Sequence, residues 1–180
     1  MKKIILTYGL IAGVIFTAFM FGARPLWKNG TITFDNGELV GYTSMVIALS
    51  LIFFGVKSYR DNHLAGIIKF GKALQVGLLI ALVASLGYAI SWEFYFNLVA
   101  PDFMEEYAAF SMEKAKSSGV AEADLQKLMT NMDQAKEMYK NPFLRFGMTL
   151  TEVLPVGIII SLVSAAILRK KEILPSTETV

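Results

Sequence analysis

Four long apolar runs, separated by polar connections of unequal length, organise this chain. They cover about residues 4–21, 39–56, 73–96 and 146–168, each near the roughly 20 residues an α-helix needs to cross the hydrocarbon layer. Between the third and fourth runs, residues 100–145 turn polar. Pro101 suits a helix entry, Ser117-Ser118-Gly119 a break and Asn141-Pro142 a stop. Within this insertion Leu125, Leu128, Met132, Ala135 and Tyr139 recur at alternating steps of three and four, and Phe103, Tyr107 and Phe110 mark one face of the preceding stretch. The pattern predicts two helices joined near Gly119, each with a face to bury and packed chiefly on the other. The expected fold is an all-α integral membrane protein in three sections. Helices 1–3 occupy 1–99, a helical hairpin 100–145, and the last helix with its tail 146–180.

The connections refine this outline. Residues 24–38 hold Arg24 and Lys28 against Asp35 and Glu38, and their two Asn-Gly pairs flank the β-prone Thr31, Ile32, Thr33 and Phe34, which predicts a short extended excursion. The second connection sets Lys57, Arg60, Lys69 and Lys72 against Asp61, and the 100–145 insertion sets eight acids against six bases. Basic, neutral, basic and acidic sections alternate along the chain, ending on Arg169-Lys170-Lys171. By the positive-inside rule both termini lie in the cytoplasm and the hairpin outside a cytoplasmic membrane. The first run is too long and ends too bulkily, at Phe21, for a cleaved signal peptide, and is expected to be retained.

Composition agrees with the pattern and narrows the chemistry. Hydrophobic residues make up 54% of the 180, charged residues 18%, and the net charge is +2, which leaves no basic footprint for nucleic acid. There is no cysteine and a single histidine, His63, so thiol catalysis and the usual transition-metal ligand sets are absent. Methionines gather in the insertion, where they read as adaptable core filling rather than a copper site. Neither a metal nor a cofactor is expected, and no nucleophile with a base marks the chain as an enzyme.

Three polar or backbone-breaking residues stand out within the runs. Glu152 lies about 9 Å into the last one, where a carboxylate is costly, so it is expected to face the bundle. Pro155 removes the hydrogen bond to the Thr151 carbonyl and is expected to kink the helix beside it. Glu93, next to Trp92 in the aromatic end of the third run, is expected near Glu152 in one crevice, with Arg145 or Arg24 as counter-ion. Trp92, Phe94, Tyr95 and Phe96 read as an interfacial aromatic belt. Small residues supply packing ridges: Gly9 and Gly13 in the first run, Ala73, Gly77, Ala81, Ser85 and Ala89 in the third, Gly157, Ser161 and Ala165 in the fourth. The last two ridges are expected to meet.

Five further segments carry a family resemblance. Gly41-Tyr42-Thr43-Ser44-Met45, Gly55-Val56-Lys57-Ser58-Tyr59-Arg60-Asp61, Phe70-Gly71-Lys72-Ala73-Leu74, Pro101-Asp102-Phe103 with Tyr107, and Thr151-Glu152 with Pro155-Val156-Gly157 resemble the Bacteroidota family of domain of unknown function 4199. The resemblance covers nearly the whole chain. It implies a four-helix inner-membrane protein with an insertion before the last helix, and it brings no catalytic residues. The family's gene surroundings, often near a glycosyltransferase acting on polyprenyl phosphate, imply a place beside lipid-linked sugar chemistry. The expected function is a non-enzymatic accessory or scaffold subunit in the lipid bilayer, partnered by a second copy or another membrane protein. The alternative is a small transporter or flippase subunit using the Glu152 crevice.

Overall fold

A computed structural model describes residues 1–169 and contains eight helices among them. In chain order they are α1 (Lys2–Gly22), α2 (Arg24–Lys28), α3 (Phe34–Leu49), α4 (Leu51–His63), α5 (Phe70–Leu98), α6 (Phe103–Ser117), α7 (Glu122–Lys140) and α8 (Pro142–Leu168). Four stretches are long and apolar enough to cross a membrane: Lys2–Lys28, Phe34–His63, Phe70–Leu98 and Pro142–Leu168. The second is α3 and α4 together. They meet at Ser50, whose backbone stays helical (φ −57°, ψ −23°) and whose hydroxyl donates to the Ile47 carbonyl at 2.7 Å. The expected tail at Lys170-Lys171 and beyond lies outside the described residues.

The long helices invert the burial pattern of a soluble bundle. Large apolar side chains such as Val14, Ile47, Ile90 and Ile159 are exposed around the outside. Small residues, including Ala48, Ala73, Ala81, Ala84, Ser85 and Ser161, are buried at the helix contacts beside larger core side chains such as Phe16, Leu49, Ile52 and Ile80. Small side chains let backbones approach, and close contact substitutes for the hydrophobic drive that helices lack in lipid. α5 is the central post. On one side Gly77 faces Ser161 and Gly157 faces Ala81 of the α5–α8 seam, where an added Cβ would stand 3.0 and 2.8 Å from the opposing side chain. On the other side Gly9 of α1 lies against Val83, and Gly13 meets Gly87 backbone to backbone. The Thr17 and Ser91 hydroxyls, 2.6 Å apart, close the same α1–α5 seam.

The stretch before α3 differs from the sequence expectation. Residues 31–34 form no strand: the chain makes the short helix α2, turns at Gly30 (φ +76°) and enters α3 at Phe34. Asn36, which reads as half of a turn pair, instead completes a capping box. Its side-chain oxygen accepts from the Thr33 amide at 2.8 Å while Thr33 caps the N-terminus of α3. Two helix donors are satisfied this way, and that outweighs the β-propensity of Thr31 to Phe34.

Candidate functional site

α6 and α7 close one end of the bundle. They are joined through Gly119, whose positive φ of 71° reverses the chain. The half-buried face of α7 runs through Leu125, Leu128, Met132, Ala135 and Tyr139 and packs on α6. The aromatic face of α6 does not return the contact. Phe103, Tyr107 and Phe110 instead surround Phe34 at the start of α3, with ring centroids 5.4–5.8 Å away. Phe34 also meets Trp27 of α2, and Phe103 stands edge-on to Trp92 of α5. Three of the four expected belt residues likewise turn inward, leaving Phe94 as the exposed one. A large apolar payload at the mouth of the bundle therefore holds the hairpin down.

Arg145 forms the polar anchor of this end. Only 4% of its side chain is exposed, and its fork grips Glu93 of α5 through Nε–Oε1 at 2.9 Å and Nη2–Oε2 at 2.5 Å. Its third nitrogen, Nη1, donates to the Tyr139 carbonyl at 2.8 Å, and the guanidinium lies 4.2 Å over the Phe96 ring. Asn141 caps the start of α8, its side-chain oxygen accepting from the amides of Phe143 and Leu144, and so fixes the turn that presents Arg145. Trp92 donates from its indole to the Tyr139 hydroxyl at 3.2 Å. Burial is the main influence on that phenol and raises its pKa, partly opposed by the Trp92 hydrogen bond. On the exposed side of α7, the hydrogen bond to Glu137 raises the pKa of Lys140.

Two cavities flank this anchor. One, of about 390 Å³, has a mixed lining in which Glu93, Asn97, Glu105, Lys136, Tyr139 and Arg145 are among the polar members. The other, about 210 Å³, lies under α6 among α1, α2, α3 and α5, and eight aromatic side chains contribute to its walls. Phe16, Trp27, Phe34, Trp92, Tyr95 and Phe103 form its body, while Arg24 and Glu106 are its charged residues.

Glu152 and Glu93 make no direct contact among the described residues, though both act electrostatically on Tyr139. Glu93 is engaged by Arg145, and the carboxylate that acts electrostatically on Glu152 is Glu38 of α3. Glu152 is exposed on α8, in line with Pro155 and Ile159, yet it stands close enough to the bundle to act electrostatically on Tyr88 of α5 and Tyr139 of α7. It makes no hydrogen bond or ion pair among the described residues. The reason is steric: Val153 and Gly157 are the buried positions here, and Glu152 precedes them by one and five residues, off the face pressed on α5. Pro155 sits inside a helix that continues unbroken from Pro142 to Leu168. Gly9, Gly13, Gly77, Ala81, Ser85, Gly157 and Ser161 are all buried, and Ser161 donates to the Gly157 carbonyl at 2.7 Å. The Ser85 hydroxyl is buried without a hydrogen-bond partner among the described residues. Sequence reasoning missed Gly87 as the partner of Gly13, and missed that Arg24 and Glu106 line one cavity. Only the aromatic neighbours of those two charges hinted at it.

Among the described residues no group of three or more His, Cys, Asp or Glu side chains gathers in a way that could hold a metal ion. The class these features define is a small all-helical protein whose four principal helices are each long and apolar enough to cross a membrane. The chain belongs to the family described as protein of unknown function (DUF4199), whose model matches residues 7–170. Searches of curated proteins and of solved structures returned no match.

Proposed function

We propose that this protein is a non-enzymatic accessory or scaffold subunit of a cytoplasmic membrane, with both termini in the cytoplasm and the α6–α7 hairpin outside. The supporting observation is Glu152. A carboxylate on an exposed apolar stripe, about 15 Å along α8 from Pro142 and without a hydrogen-bond or ion-pair partner among the described residues, carries a cost of roughly 3 kcal/mol at most on insertion scales. A second membrane protein, or a second copy of this chain, that supplies a donor to Glu152 removes that cost. The surrounding stripe of Pro155, Ile158, Ile159 and Leu162 gives such a helix an apolar surface to pack on. The transport reading has less behind it, because Glu152 lines neither of the two cavities and Glu93 is held by Arg145.

Affinity purification of the full chain from native membranes after mild cross-linking tests the proposal. A stable heterologous partner, lost in Glu152→Ala, is the expected result. A pure homo-oligomer that carries pH-dependent solute flux after reconstitution contradicts it.

A further inference from the structure

The aromatic cavity under α6 has a feature that neither the helix packing nor the Glu152 face explains. It contains one cation and one anion, Arg24 and Glu106, brought from α2 and α6 to the same space. They are not paired with each other, and neither side chain makes a hydrogen bond or ion pair among the described residues. By contrast, the Asp35 and Lys114 side chains, which bridge α3 and α6, meet at 2.6 Å on the surface. Arg24 is half-buried and Glu106 exposed at the rim, so the cavity offers a ligand one free charge of each sign.

The depth of the cavity identifies the kind of ligand. Arg24 follows immediately on the apolar run of α1, and Trp27, Trp92 and Tyr95 beside it are the residue types that sit at a membrane–water interface. Below them the lining becomes apolar, through Phe16, Phe19, Met20 and Val40. Phe19 and Val40 are both exposed as well, so the cavity communicates with the lipid-facing surface between α1 and α3. Charged groups therefore stand at headgroup level and hydrocarbon walls where chains begin.

We infer that this cavity binds a phospholipid with a phosphoethanolamine headgroup. The Arg24 guanidinium takes the phosphate, for which its planar fork is suited. The Glu106 carboxylate accepts N–H bonds from the primary ammonium, which a quaternary choline ammonium cannot offer. A purely anionic headgroup meets repulsion from Glu106, so the two charges together select the zwitterion. Trp27 forms one wall because Gly37 opposite has no side chain: a Cβ there would stand 2.9 Å from the indole. The cavity is too small for a whole lipid, and it takes the headgroup and the first part of a chain, with the remainder in the bilayer.

The chain supplies its own reporter, since its two tryptophans, Trp27 and Trp92, both line the cavity. The full-length protein is reconstituted in phosphatidylcholine vesicles with increasing fractions of phosphatidylethanolamine, phosphatidylglycerol or phosphatidylcholine brominated near the headgroup end of the chains. Tryptophan quenching then gives a relative affinity for each. Brominated phosphatidylethanolamine is expected to be preferred about tenfold over both others. Arg24→Gln should abolish that preference, Glu106→Gln should make phosphatidylglycerol at least as good a ligand, and Lys114→Gln, which lies off the cavity, should change neither. Equal quenching by the three lipids, a wild-type preference for phosphatidylglycerol or phosphatidylcholine, or a preference that survives both cavity substitutions would overturn the inference.

Discussion

Arg145 shows how one residue joins three elements. It is rooted in the second turn of α8, pairs with Glu93 of α5 and donates to the last turn of α7, so its side chain is where the hairpin is tied to the bundle. Burial makes this bond asymmetric in its effects. A buried pair contributes little over apolar replacements, but removal of one member strands the other charge. Arg145→Ala should therefore lower stability by about 3–5 kcal/mol, measured by thermal unfolding in detergent, whereas Glu93→Leu combined with Arg145→Met should lose much less. Equal losses in the single and double variants would mean that the pair is solvated. The sequence names both residues as partners because each is an ionisable group beside an apolar run. The Tyr139 carbonyl and the Phe96 ring are invisible there: the first reaches Arg145 through the tight turn at Asn141, and the second meets it only after the hairpin has folded back onto α5. Glu152 shows the opposite outcome. Its presence in an apolar run is legible, but the side of the helix it occupies depends on which small residues α5 selects for contact.

At the scale of elements, the small-residue rows decide the packing. The α5–α8 seam is legible because both rows repeat every four residues and need only be set face to face. The α1–α5 seam is half legible: Gly9 and Gly13 stand out, while Gly87 is hidden among larger neighbours on α5. A Cβ at Gly9 would lie 2.6 Å from the Cβ of Val83, a distance no side-chain rotation relieves. Gly9→Ala should thus destabilise by about 1–3 kcal/mol as α1 is pushed off α5. Gly147→Ala in α8, where nothing lies within 4 Å, should be neutral or raise stability by up to about 1 kcal/mol. Thermal unfolding of the two variants side by side checks the assignment, and a tolerated Gly9→Ala would disprove the close seam. The hairpin is the element the sequence describes least completely. Its two amphipathic faces predict a pair, but the aromatic face of α6 packs on Phe34 and Trp92, so α6 caps the bundle as well as pairing with α7.

The whole molecule is a post, α5, with α1 and α8 fitted closely against its sides, α3 and α4 completing the bundle, and a hairpin capping one end. Four helices of this length supply lipid-facing surface nearly all round, which is why hydropathy alone outlines the architecture. Hydropathy does not distinguish a stripe that meets lipid from one that meets a partner, and the proposed function rests on Glu152 of α8 for that distinction. The proposed partner face can be tested against an internal control. A photo-crosslinking amino acid is placed at Ile159, one repeat along the stripe from Glu152, or at Val14 on the exposed side of α1. Irradiation in living cells should yield a discrete protein adduct from position 159 that disappears when Glu152→Ala is added, and no protein adduct from position 14. The same pattern from both positions, or an adduct at 159 that ignores Glu152, would contradict the account.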